Sequence, residues 1–307
     1  MHKLALIIPT RHRLELLSKL MATFEAQTVP PHQIIVVDGS DEPIEQALRE
    51  RHPSVPITYV HVQPPGLTRQ RNAGIAAVSD EATLVGYLDD DIELEPETVE
   101  NLLRFWDQAG DDVGGVSFNI TNNEHLPVSW FGRLFGTDSR RRGAILPSGF
   151  VTPVRADEEA TPTEWLCGGA TVWRREMVDR YKYDEWFAGT AYFEDVDFSY
   201  RVGQTHKLFV LRDARVTHNP PPYEARKMRY FGEMHCTYRY HFVEKHFGRK
   251  WPFYWSTLGV MATRGWAALR RWDAKSYYNA LGTLVGLVKV LTGRHGAVMQ
   301  DFRKTQK

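Results

Sequence analysis

The sequence predicts an α/β protein: an open, mostly parallel β-sheet flanked by helices, with a helical carboxyl-terminal extension. Three observations carry this expectation. Two short runs of branched apolar residues, 4–9 (LALIIP) and 33–38 (QIIVVD), have the composition of strands covered on both faces. Between them Leu14, Leu17, Leu20, Met21 and Phe24 recur at helical spacing, which gives one strand, helix, strand unit. Polar residues then close the strands: Pro9-Thr10-Arg11 after the first, Asp38-Gly39-Ser40 after the second, and Asp89-Asp90-Asp91 after a later one. In open α/β sheets ligands gather outside these carboxyl ends.

Further strands are expected at 57–62, 83–88, 113–120 and 166–173. A helix is expected to open at Pro96, a favoured first-turn residue, and to carry Val99, Leu102, Leu103 and Trp106 on one face. Residues 129–163 read as irregular, with glycines, prolines and the basic cluster Arg140-Arg141-Arg142; a loop over a second substrate and a solvated excursion are the two readings. A long helix is expected over 224–247, with Met228, Phe231, His235, Tyr238 and Phe242 along one stripe that core packing explains. The stretch 251–263 has no charge, and 277–291 is apolar nearly all round apart from Lys289. Contact of 251–292 with a membrane surface, and packing against the rest of the chain or a second copy in a homo-oligomer, stand as alternatives for this region. The expected division is a catalytic domain over 1–222 and the helical extension over 223–307.

Composition narrows the function. Lysine plus arginine balance aspartate plus glutamate at 38 each, so no whole-chain field recruits nucleic acid, and phosphate binding must be local. The two cysteines, Cys167 and Cys236, form neither a metal spacing nor a disulfide framework; each reads as a small buried hydrophobe in a reducing cytosol. The amino terminus runs straight into a strand without the pattern of a secretion signal, and no stretch of about 20 apolar residues occurs, so the expected location is cytoplasmic, including the inner face of the cell membrane.

The acidic triplet says most about chemistry. Three carboxylates ending the apolar run TLVGYL repel one another and lose water, so a divalent cation is their natural partner. Along extended backbone Asp89 and Asp91 point to one side while Asp90 turns away. A second acidic group, Glu194-Asp195-Val196-Asp197, precedes Arg201 at helical spacing from Asp197. The two glycines of Trp165-Leu166-Cys167-Gly168-Gly169 permit close backbone approach by a ligand or a bend.

The ordered series IIPTRHR, IIVVDGSD, LTRQRNAGI, YLDDD, WLCGGATVWRR and YFEDVDFSYRV resembles the family 2 glycosyltransferases, over roughly residues 4–218. The resemblance implies the GT-A fold, a Rossmann-like sheet, and a nucleotide-sugar donor with manganese or magnesium as cofactor. It implies that Asp89 and Asp91 match a D-x-D motif, with Asp91 the direct metal ligand and Asp89 and Asp90 reaching the ribose or metal. It also implies that His218 completes the metal site, and that Pro9, Thr10, Arg11, Asp38 and Arg71 hold the nucleotide. Asp195 matches the family's catalytic base, while Glu194, Trp165, Gly168 and Gly169 lie beside donor sugar and acceptor. The expected activity is inverting transfer of one sugar, UDP-linked by preference, to a glycan or lipid-linked glycan in surface polysaccharide or glycoconjugate synthesis.

Rivals fare less well. A sugar nucleotidyltransferase would want a glycine-rich phosphate loop after the first strand, and Pro9-Thr10-Arg11-His12-Arg13 has no glycine. A non-catalytic nucleotide-sugar or glycan scaffold would have no use for the costly acids. Processive synthases carry a Q-x-x-R-W motif, whereas Arg271-Trp272 here follows Ala268 where glutamine would stand.

Overall fold

The computed structural model describes residues 2–123 and 127–295. Among them run, in order, β1 (Leu4–Thr10), α1 (Leu14–Glu25), β2 (Gln33–Asp38), α2 (Glu45–Arg51), β3 (Ile57–His61), α3 (Leu67–Ile75), β4 (Leu84–Leu88), β5 (Ile92–Leu94), α4 (Thr98–Gln108) and β6 (Val113–Ile120). There follow α5 (Trp130–Leu134), β7 (Ala160–Thr163), β8 (Ala170–Arg174), α6 (Arg175–Arg180), α7 (Glu194–Gly203), β9 (Lys207–His218), α8 (Lys227–His246), α9 (Trp251–Arg271) and α10 (Ala274–Leu291). Two compact units result: Met1–His125 with Val154–Pro220, and Leu126–Pro153 with Pro221–Lys307.

The first unit is a mixed α/β sheet with flanking helices. Strand order is β3-β2-β1-β4-β8-β6-β9-β5, with β7 on β9. The half β3-β2-β1-β4 is parallel, as the buried apolar runs predict. From β8 onward the directions are mixed: β8 is antiparallel to β4 and β6, β6 and β9 are parallel, and β5 and β7 run antiparallel to β9. Both faces are covered. Leu4, Leu6 and Ile8 alternate with Ala5 and Ile7 along β1, the first set packing with Leu17, Leu20, Met21 and Leu102, the second with Ile75, Met177, Val178 and Phe198.

The expected strand over 166–173 begins only at Ala170. Residues 166–169 leave the ladder: Ala170 N donates to Cys167 O in a turn, and Gly169 O accepts from Asp89 N at 2.9 Å. The helix expected from Pro96 starts at Thr98.

In the second unit α10 lies against α8 and α9. Its contact with α8 is close because glycines meet backbone: a Cβ on Gly282 would overlap the Arg229 carbonyl. The α8 stripe is buried at Tyr238 and Phe242, and the helix also buries Gly232, Met234, Cys236, Arg239 and Tyr240, more than one face. Residues 127–153 are less irregular than expected, holding α5 and a bridge between Ile145 and Val151. Arg239, 1% exposed, donates to Ser148 O, Ser256 Oγ and Thr257 Oγ1 at 2.6–2.7 Å and lies over the Phe150 and Phe253 rings. Among the described residues no helix is long and apolar enough to cross a membrane.

Candidate active site

Strand register brings separate stretches of the sequence together in the first unit. Thr10 pairs with Asp38 at the carboxyl ends of β1 and β2, and Ile92, one residue past the acidic triplet, pairs with His218. Asn219 N donates to Asp91 O at 2.9 Å, which fixes the end of β9 against the triplet.

Asp89, Asp91 and His218 each offer one ligand atom, and these atoms lie within 4.8 Å of one another. His218 Nε2 is 3.1 Å from Asp91 Oδ1. That oxygen is buried without a well-aligned hydrogen bond. Asp91 raises the His218 pKa above its ordinary value, against partial burial. Two hard carboxylate oxygens and an imidazole, one oxygen being buried and lacking a donor, fit a divalent cation of the manganese or magnesium class. Asp90 turns the other way. Its oxygens accept from Thr10 Oγ1 at 2.7 Å and Arg13 Nη1 at 3.0 Å, and burial pushes its pKa up to about 6.

Arg71, on α3, is only 1% exposed and bridges two acids: Nη2 to Asp89 Oδ1 at 3.1 Å and Nη1 to Glu194 Oε1 at 2.8 Å. Its guanidinium lies 5.2 Å from the Tyr183 ring centre. Burial alone would lower its pKa, but Tyr183 and the acids around it more than offset this and raise it. Burial and then the neighbouring Asp195 push the Glu194 pKa up, with Arg71 opposing.

Asp195 stands in the first turn of α7, half-buried, beside the two glycines. Its Oδ2 accepts from Gly168 N at 3.0 Å and its Oδ1 from Val196 N at 2.8 Å. Removal from water raises its pKa, and the backbone donors work against the shift. Before the helix, Phe193 adopts φ 72°, a left-handed conformation that costs a bulky side chain on the order of 1–3 kcal/mol. This sharp entry sets the two acids at the helix amino terminus. Gly169 lies so close to Asp89 that a Cβ there would overlap its Oδ2, and a Cβ on Gly168 would stand 2.8 Å from that of Asp195.

The residues expected at the nucleotide are placed less uniformly. Pro9 and Thr10 end β1, and Arg11 is half-buried with Nη2 3.6 Å from Asp41. Asp38 is fully buried, and its carboxylate accepts from Ser40 N, Ile44 N and the Tyr59 hydroxyl. Contact with a base or ribose would require uncovering this buried carboxylate. Trp165 is half-buried at the start of the 165–169 segment. Cys167 is half-buried beside the acids, and burial pushes its thiol up to about 12, so it stays neutral.

Two residues emerge that the sequence reading left without a role. Arg13 spans Asp90 and, at 3.6 Å, Asp91. Gln70 donates to Thr10 O and Val37 O, both at 2.8 Å, and ties the ends of β1 and β2 to α3. Both lie inside quoted fragments, IIPTRHR and LTRQRNAGI, but only the fold reveals what they reach.

Comparison with known proteins gives the family and the fold. The family described as "Glycosyl transferase family 2" matches residues 5–181. The uncharacterized glycosyltransferase YwdF of Bacillus subtilis (strain 168) is 28% identical over 131 residues, 41% of this chain and 48% of that protein. The chain thus matches about half the length of that curated relative. S. aureus TarS 1–349 superposes with a TM-score of 0.52 at 15% identity, covering 99% of this chain and 92% of that one. GalNAc-T7, solved with UDP, GalNAc and Mn2+, gives 0.55 at 17% identity over 71% and 44%. These likenesses show the GT-A fold. With the family match covering more than half of its residues, the chain belongs to glycosyl transferase family 2.

Proposed function

We propose that this protein is an inverting, metal-dependent glycosyltransferase that moves one sugar from a UDP-sugar to a glycan or lipid-linked glycan acceptor. The observation that carries the reading is the convergence of Asp89, Asp91 and His218 in the same unit as the half-buried Asp195. UDP is favoured because structures of similar fold were solved with UDP-GlcNAc, in TarS, and with UDP, in GalNAc-T7.

Asp89, Asp91 and His218 would hold manganese or magnesium, which when bound neutralises the departing diphosphate. The chain's own residues do the rest. Asp195 takes the proton of the acceptor hydroxyl as that oxygen bonds to the anomeric carbon and the bond to the diphosphate breaks. Donors from Gly168 and Val196 fix the carboxylate's direction, and its raised pKa makes it a stronger base. Glu194, pinned by Arg71, and Trp165 line the sugar side. Pro9, Thr10 and Arg11 face the nucleotide, with Asp38 shaping the turn beneath and Asp90 locked to Thr10. Arg71 serves as the counter-charge of the acidic centre. The catalytic domain is taken as residues 1–222 and the helical extension as 223–307, working in the cytoplasm on surface polysaccharide or glycoconjugate precursors.

The direct test is nucleotide release from a panel of UDP-, dTDP- and GDP-sugars, with manganese, magnesium or a chelator. Slow hydrolysis of one donor that stops with chelator is expected even without acceptor. Turnover unaffected by chelation would remove the metal from the account, and binding of no nucleotide sugar would remove the donor.

A further inference from the structure

In the second unit, packing leaves a connected set of large hydrophobic side chains bare along α9. Trp251, Trp255, Leu258, Trp266 and Leu269 are all exposed, Leu269 at 82%, and Trp272 just beyond is 92% exposed. With Ala262 the positions on the helix are spaced four, three, four, four and three residues apart. At about 100° per residue they occupy an arc of roughly 80°. The opposite side holds the buried Phe253, Ser256 and Thr257. One face of α9 is thus committed to its own unit, as is Trp255, which stacks on Phe135 and donates to Leu134 O, and the remainder of the other face is an apolar, tryptophan-rich stripe in water.

Charge decides what fits this stripe. Arg249, next to Trp251, and Arg270, over Trp266, adjoin the stripe and no acid lies within 251–272, whereas Arg264 falls on the opposite side of the helix and Lys250 pairs with Glu244. A second copy of the same helix would bring like charges together, whereas an anionic surface complements them. Tryptophan favours the boundary between headgroups and acyl chains, where its ring is buried and its N–H stays wet. Arg270 already lies 4.8 Å from the centre of the Trp266 ring, the pairing that lets a cation sit at headgroup level above a buried indole. A helix of 21 residues with one apolar face and a basic flank lies in the plane of a bilayer rather than across it, and no described helix is apolar enough to span one.

We propose that α9 docks the protein on the surface of an anionic lipid bilayer, with Trp251, Leu258, Trp266, Leu269 and Trp272 entering the headgroup boundary and Arg249 and Arg270 meeting lipid phosphates. The proposal does not depend on catalysis, since it is tested without donor or acceptor.

The experiment is flotation of the full chain with phosphatidylcholine vesicles, with and without phosphatidylglycerol. The wild type should float with the mixed vesicles, and added salt should release it. Substituting Trp266→Gln, Leu269→Gln and Trp272→Gln together should abolish flotation with an unchanged melting curve, because these side chains pack against little. Arg249→Gln with Arg270→Gln should weaken binding roughly 30-fold, from about 1 kcal/mol per basic residue. Equal flotation by the triple variant overturns the proposal. So does a wild type that ignores vesicles but forms a concentration-dependent dimer in light scattering that the triple variant lacks, since a second copy then covers the stripe.

Discussion

Replacing Arg71 with methionine isolates the electrostatics of the acidic centre. The side chain is 1% exposed, and its removal leaves Asp89, 3.1 Å away, and the buried Glu194, 2.8 Å away, without their counter-charge. Breaking a buried pair in this way costs about 3–5 kcal/mol. At roughly 2–4 °C per kcal/mol the sheet-bearing unit should melt some 6–20 °C lower. The penalty should also depend on pH. Glu194 titrates above its ordinary value even with Arg71 opposing the shift, and without Arg71 it moves higher still. The folded state then holds a proton that the unfolded carboxyl, near about 4.3, has released. Stability therefore falls as pH rises through the window from the unfolded value to the folded one. Urea denaturation should show a smaller deficit at about pH 5 than at about pH 8. Adding Glu194→Gln to the variant should recover about 0.5–3 kcal/mol as coupling energy. A deficit under about 1 kcal/mol, or no coupling between the two sites, would show that the bridge is not holding these acids.

Asp195→Asn should lower kcat by about 10²- to 10⁴-fold with donor affinity nearly unchanged, because a base acts on the acceptor; wild-type turnover would exclude the assignment. In the wild type the acid limb of the rate profile should rise with pH as the raised Asp195 carboxyl loses its proton, so a flat profile across that limb speaks against it as the base. Gly169→Ala should displace Asp89 and cost about 1–3 kcal/mol of stability together with metal-dependent donor binding. Retention of both would mean that the close approach of Gly169 to Asp89 is not needed.

Much of the first unit can be read from particular residues. Continuous branched runs such as LALIIP and QIIVVD name strands buried on both faces, and β1, β2 and β4 are such strands. The antiparallel insertion of β8 between β4 and β6 cannot be read that way, because a short apolar run carries no direction. Segment 166–169 misleads for a related reason: its residues look strand-like, and only the nearby Asp89 and Asp195 show why the chain turns there. At the site, residue type announces the acids but not their partners. Asp38 and Arg71 look like ligands for a nucleotide, yet their neighbours Tyr59 and Glu194 are distant in sequence and engage them within the fold. His218 joins Asp91 only because β9 pairs with β5, a register fixed by the sheet as a whole. In α9 the uncharged stretch is visible from composition, whereas the single exposed stripe requires knowing which face its own unit covers.

The central claim is that Asp89, Asp91 and His218 form one cation site serving the donor, and manganese binding followed by electron paramagnetic resonance tests it most directly. Added protein should quench the signal of free manganese at one site per chain, UDP should tighten that binding, and Asp91→Asn should weaken it by at least about tenfold. Manganese binding of the same strength in Asp91→Asn and wild type, with or without UDP, would contradict the account.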